Sequence, residues 1–176
     1  MQKYIALLRA INVGGRIVKM EALRAHFESL GCANVETYIA SGNVIFEART
    51  SAEDALRRKI EVHLESALGH EVTTFLRTPD ELAAVASFND KAAASAEALN
   101  VAFLHEPLDE NELEILMSLR SDIDDFRSHG REVYWLCKTK QSDSKFSNAL
   151  FERKLRIPAT FRGMNTVRKL AELYPA

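Results

Sequence analysis

Residues 4–46, YIALLRAINVGGRIVKMEALRAHFESLGCANVETYIASGNVIF, place an apolar strand, a glycine loop, an amphipathic helix and a hairpin in direct succession. Residues 3–11, KYIALLRAI, are apolar at odd and even positions alike apart from Arg9, the pattern of a strand covered on both faces and therefore central in its sheet. Gly14 and Gly15 end that strand, because paired glycines allow backbone angles that a side chain forbids. Met20, Leu23, Phe27 and Leu30 then recur at helical spacing, and the stripe closes at Gly31. Two β-rich runs, 35–39 and 43–47, meet at Ser41-Gly42 and read as a hairpin.

Working outward, Ser51 precedes a second helix with Leu56, Ile60, Leu64 and Ala67 on its inner face, stopped at Gly69, and residues 72–77 follow as a fourth strand. Strand, helix, strand, strand, helix, strand is the order of a split βαβ, or ferredoxin-like, unit. Thr78-Pro79-Asp80-Glu81 carries a capping box with proline in the first turn and opens a short helix. The alanine-rich stretch 91–98 reads as a linker. Beyond it the grammar returns: strand 100–105, a helix from Asp109, strands near 125–128 and 132–137 around a turn at Gly130, and a helix over 143–155. Pro158 breaks the chain, 160–162 supply a last strand, and Val167, Leu170, Ala171 and Tyr174 stripe a closing helix. The expected fold is therefore α+β: two ferredoxin-like subdomains in tandem with mostly antiparallel sheets, residues 1–78 and 99–176, joined by a helix and linker at 79–98. Element order alone supports the duplication, since no residue-level repeat is visible. A split βαβ sheet carries helices on one face, so the second apolar face of each sheet must meet either the other sheet or a partner.

The chain's 176 residues, 47% hydrophobic, suffice for one good-sized core or two small ones. Its longest apolar runs, such as IALL and VAFL, are strand-sized, well short of the ~20 residues of a membrane span. Met1 leads straight toward the first strand with no signal-peptide pattern, and Cys32 and Cys137 lack CxxC spacing, so the expectation is a cytoplasmic protein with free thiols and no membrane partner. The net charge of −2 excludes a wholly cationic nucleic-acid binder, yet its distribution is uneven. Residues 79–128 hold twelve carboxylates against three Lys or Arg, a net −9, whereas 138–176 hold nine cations against three carboxylates, a net +6.

The opening stretch, read with DSKFSNALFERKLRIPATFRGMNTVRKL at 143–170, resembles the bacterial domain-of-unknown-function family 1697. The shared pattern is an LLRxINVGG loop, a YxxSGNVxF hairpin and an SKxxNALxExxL helix. That resemblance implies the fold above and no established activity. It also implies glycine at the position of Ala10 and an Asn-Trp pair where this chain has Gly163-Met164.

Three polar clusters are candidate ligand sites. Arg9, Asn12, Gly14, Gly15, Arg16 and Lys19 form a loop in which exposed N–H groups, a helix N-terminus and two cations would cradle an anion. The spacing matches neither a nucleotide P-loop nor a dinucleotide fingerprint. Ser41 and Asn43 sit at the hairpin tip, where ordinary turn chemistry also accounts for them. Lys145, Asn148 and Glu152 would share a helix face, capped by Ser142 or Asp143, with Arg162, Asn165 and Lys169 downstream; Asn165 or Thr166 would cap the last helix. Five scattered histidines show no metal spacing, and no GxSxG elbow or partnered cysteine is present, so no metal, cofactor or catalytic residue is assigned. The reading these features favour is a non-enzymatic anion-binding module for nucleic acid or a phosphate-bearing metabolite, monomeric or a weak homodimer. An enzyme acting on a small phosphorylated substrate and a protein-interaction domain are the alternatives.

Overall fold

The computed structural model describes residues 1–12, 17–39 and 42–176. Backbone contacts divide the chain into two compact units, Met1–Leu82 with Tyr174–Ala176, and Ala83–Leu173.

In the first unit β1 (Gln2–Leu8), α1 (Met20–Ser29), β2 (Ala33–Tyr38), β3 (Asn43–Ala48), α2 (Glu53–Leu68) and β4 (Thr74–Arg77) form an antiparallel sheet of order β2-β3-β1-β4. This is the split βαβ order, with β1 central as its unbroken apolar run requires. Alternate residues Tyr4, Ala6 and Leu8 join Val44 and Phe46 in a core with Leu23 and Phe27 of α1 and Ile60 and Leu64 of α2. Ile5 and Leu7, which point the other way, are fully buried too. Thr78 and Glu81 form the expected capping box at α3 (Pro79–Ala86): Thr78 Oγ1 accepts from the Glu81 N–H at 3.2 Å, and Glu81 Oε2 accepts from the Thr78 N–H at 2.9 Å.

The second unit repeats the order. Stretch 91–98 holds a short helix, α4 (Lys91–Ala94), capped by Asp90, and then the start of a strand. After it come β5 (Ala98–Phe103), α5 (Glu110–Ser118), β6 (Asp124–His129), β7 (Glu132–Cys137), α6 (Asn148–Leu155), β8 (Thr160–Gly163) and α7 (Met164–Leu173). All pairs in the sheet are antiparallel, in the order β6-β7-β5-β8. Trp135, Phe146, Phe151 and Phe161 pack edge to face in its core, with ring centroids 4.8–6.5 Å apart.

Register reveals a residue-level trace of the duplication. Arg77 lies opposite Ile5 and Arg162 opposite Val101, the matching position of each central strand. Both arginines are buried, and each donates through Nη1 to the carbonyl of the residue before it, at 2.8 and 2.9 Å. Burial pushes Arg162 down to about 10, which leaves it charged at neutral pH.

Two element boundaries differ from the sequence reading. The helix expected over 143–155 begins at Asn148, because residues 141–143 form a 3₁₀ turn and Ser147, whose Oγ accepts from the Leu150 N–H, is the cap. Lys145 therefore precedes the helix and does not share a face with Asn148 and Glu152. The closing helix starts at Met164, so Asn165 and Thr166 lie inside its first turn and cannot cap it. Among the described residues, no helix is long and apolar enough to cross a membrane.

Gly31 and Gly42 both occupy left-handed backbone, at φ +87° and +79°, but their surroundings differ. A Cβ on Gly31 meets nothing within 4 Å, whereas one on Gly42 would lie 2.8 Å from Ile11 Cγ2 and 3.2 Å from the Leu8 carbonyl oxygen. Gly31→Ala is expected to cost about 1 kcal/mol and Gly42→Ala clearly more, about 2–4 kcal/mol, in urea denaturation. Phe146→Ala should cost about 3–5 kcal/mol in the same assay.

Candidate functional site

β8 passes into α7 with no intervening residue. A helix entered this way has no segment to fold back over its first turn, and no side-chain acceptor among the described residues caps the N–H groups of Asn165 and Thr166. The start of this helix, with the positive end of its dipole, borders a cavity of about 580 Å³ whose walls include Phe88, Asn100, Gln141, Gly163, Asn165 and Arg168. Arg168 is exposed, and no described residue pairs with it. Asn100, 8% exposed on β5, donates through Nδ2 to Gln141 Oε1 at 3.0 Å; its own Oδ1 has no donor among the described residues. Phe88 stacks on Tyr134 with centroids 3.8 Å apart and planes 8° from parallel, which fixes the ring at the cavity wall.

Asp90 and Glu97 also line this cavity. Asp90 is already engaged, accepting from the Ala92 N–H and from Arg127 Nε at 3.0 Å. The Ala92 amide first, and Arg127 with it, hold its carboxyl below the usual range. Glu97 is exposed and has no side-chain partner among the described residues.

Gly163 leaves room in the cavity: a Cβ there would meet only Asn100 Oδ1, at 3.9 Å. The asparagine implied at this position by the family pattern would extend a side chain toward the same space. Met164, where a tryptophan was implied, is 2% exposed and lies in the core.

Among the sequence candidates, the structure brings Asn165 into this cavity beside Arg168. Lys169, the next residue, is exposed and reaches Glu172 at 3.5 Å. Arg162 is buried on the adjoining strand, its Nη1 2.7 Å from Thr160 Oγ1. Lys145 stands apart on a second cavity of about 420 Å³ with Ser121 and Asp143. Asn148 opens α6 with its Oδ1 buried and without a donor. In the first unit, Asn12 Oδ1 accepts from the Val18 N–H at 2.8 Å, which draws Asn12 toward the exposed Lys19 at the start of α1. The Arg9 N–H is bonded to the Thr73 carbonyl at 2.9 Å. Asn43 is fully buried and donates to the Tyr38 carbonyl at 3.0 Å, a bond that closes the β2–β3 pair. Gly14, Gly15, Arg16 and Ser41 lie outside the described residues. Sequence reasoning passed over Asn100, Gln141 and Arg168, which belong to no local motif.

Ser144 serves a structural end. The Asp124 carboxylate, 5% exposed, accepts from Trp135 Nε1 at 2.8 Å, Ser144 Oγ at 2.7 Å and Ser121 Oγ at 3.0 Å. Burying a carboxylate is costly unless its lone pairs accept hydrogen bonds in this way. Among the described residues, no three or more His, Cys, Asp or Glu gather as metal ligands. Burial pushes the Cys32 thiol up, Lys59 offsetting part of the effect, which disfavours its thiolate.

His26 Nδ1 and His63 Nε2 lie 3.2 Å apart where α1 meets α2, with Ser29 Oγ 3.4 Å from the same His63 nitrogen. Burial, and secondarily the His63 ring, hold His26 below its usual 6.5. The unfolded chain takes up this proton before the folded chain does, so the contribution is complete above pH ~6.5 and is lost as pH falls from there through the folded value. Melting temperature should therefore drop between pH 7.5 and 5.5, and His63→Gln should flatten that slope. Ser144→Ala should cost about 1–3 kcal/mol in urea denaturation by leaving Asp124 one donor short.

The chain is 25% identical to "conserved bacterial protein SP0830 from Streptococcus pneumoniae", whose solved structure it matches with a TM-score of 0.77 over 98% of each chain. No curated protein matches the sequence. Residues 1–134 match the profile of a family described as "Protein of unknown function (DUF1697)". With most of its length covered by that profile, and its LLRxINVGG and YxxSGNVxF stretches inside the match, the chain belongs to the DUF1697 family.

Proposed function

We propose that this protein is a binding module for a small phosphate-bearing molecule, seated in the second unit where β8 runs into α7. The observation that carries this reading is the meeting of an uncapped helix start and the unpaired Arg168 at one polar cavity. N–H groups of a first turn supply directional donors, the dipole supplies positive potential, and an arginine fork supplies a matched pair of bonds to phosphate oxygens. Lys169, one residue on, adds attraction at longer range.

Size favours a metabolite over a nucleic acid. About 580 Å³ lies within the 300–1,000 Å³ typical of small-ligand pockets. A nucleic-acid surface needs cations spread along a groove, and the walls of this cavity hold one arginine against two carboxylates. Binding without catalysis fits the polar groups on these walls: amides, an arginine and two carboxylates, with no nucleophile beside a base among the described residues.

A thermal-shift screen of phosphorylated metabolites against the full chain tests the proposal. At a hundredfold excess over Kd, a bound ligand adds about 2.7 kcal/mol of stability, several degrees in melting temperature. Arg168→Ala should remove most of the shift. Gly163→Asn should remove it by filling the cavity while leaving the melting temperature of the free protein within about 2 °C of the parent. Arg16→Ala, in the glycine loop, should leave the shift intact. A shift that survives Arg168→Ala and disappears with Arg16→Ala would move the site to the first unit and overturn the proposal.

A further inference from the structure

We infer that the ligand is a nucleoside phosphate, an inference that rests on the phosphate-binding reading of the same cavity. A bare phosphate accounts for α7 and Arg168 and for nothing else on the walls. Four further groups remain, each of a kind suited to another part of a nucleotide.

The first two are the amides. Asn100 and Gln141 are joined by one hydrogen bond, and this bond consumes one donor and one acceptor. An acceptor, Asn100 Oδ1, and a donor, Gln141 Nε2, stay unused by any described residue. Asn100 as a residue is more than nine-tenths buried, and a Cβ on Gly163 would stand 3.9 Å from its Oδ1, which places this acceptor at the cavity. A donor and an acceptor on two linked side chains suit the edge of a nucleobase, which presents the same two kinds of group in the opposite sense.

The third group is Phe88. Its ring is backed by Tyr134 at 3.8 Å, so a flat, rigid surface lines the cavity, and aromatic faces of this kind stack nucleobases with little regard to sequence. The fourth is Glu97. A carboxylate repels a free phosphate, but it accepts hydrogen bonds from the hydroxyls of a ribose, the role an acidic residue plays in dinucleotide-binding folds. A cation together with a carboxylate, an aromatic ring and an amide pair suits a ligand with a phosphate, a sugar diol and a base.

Isothermal titration of the full chain with the four common nucleoside 5′-monophosphates, ribose 5-phosphate, inorganic phosphate and adenosine tests this directly. At least one nucleotide should bind tenfold or more tightly than ribose 5-phosphate. Gln141→Ala, at an exposed position, and Phe88→Ala should each erase this preference and leave ribose 5-phosphate affinity unchanged. Arg168→Ala should weaken nucleotide and sugar phosphate by the same factor. Ribose 5-phosphate binding as tightly as every nucleotide would overturn the nucleoside assignment while leaving the phosphate site standing. Adenosine binding as tightly as its monophosphate would overturn the phosphate reading instead, and binding by none of these ligands would overturn both.

Discussion

The carboxylate of Asp124 is the point on which the second unit depends. It sits at the start of β6, 5% exposed, and would be costly to hold charged without donors. Trp135 of β7, Ser121 before β6 and Ser144 from the segment leading into α6 supply them. The Ser144 bond reaches across 20 residues of sequence and pins the segment between β7 and α6 to the sheet edge. Phe146, two residues on, is thereby delivered into the aromatic core. Gln141, three residues before Ser144, is delivered to Asn100. One satisfied carboxylate thus links the packing of the core to the wall of the cavity.

This recasts the SKxxNALxExxL stretch at 144–155, which lies beyond the residues that the family profile matches. Ser144 bonds Asp124, Phe146 fills the core, Ser147 caps α6, and Glu152 Oε1 accepts from the Ala159 N–H at 3.2 Å, steadying the approach to β8. Ser144, Ser147 and Glu152 thus hold the backbone in place, while Asn148 of the same stretch keeps a buried Oδ1 without a donor among the described residues. Ala10 illustrates how such patterns encode backbone geometry: it stands at φ +54°, a left-handed conformation glycine adopts freely, which is a physical reason for the glycine implied at this position.

Periodicity made most of the fold legible. The unbroken apolar run before Arg9 marked β1 as central, and the stripes at Leu23 and Phe27 and at Leu56, Ile60 and Leu64 marked the faces of α1 and α2. Capping chemistry was legible at Thr78 and misleading near Ser142, because Ser, Asp and Asn cap helices and close turns with the same atoms and only the tertiary partner decides. The site was far less legible. Asn100 and Gln141 are 41 residues apart in sequence and meet only because β5 and the turn after β7 converge. The C-terminal cations were visible as a group, but charge alone does not show that Arg162 is buried, that Lys169 reaches Glu172, or that Arg168 lines the cavity.

The most direct measurement of the site is a ¹H–¹⁵N correlation spectrum of the labelled chain, recorded as adenosine 5′-monophosphate is added. Large shifts are expected at the backbone amides of Asn165 and Thr166 and at the side-chain amides of Asn100 and Gln141, with little change around Lys145 or Lys19. Shifts centred on residues 9–19, with the start of α7 unmoved, would contradict the site.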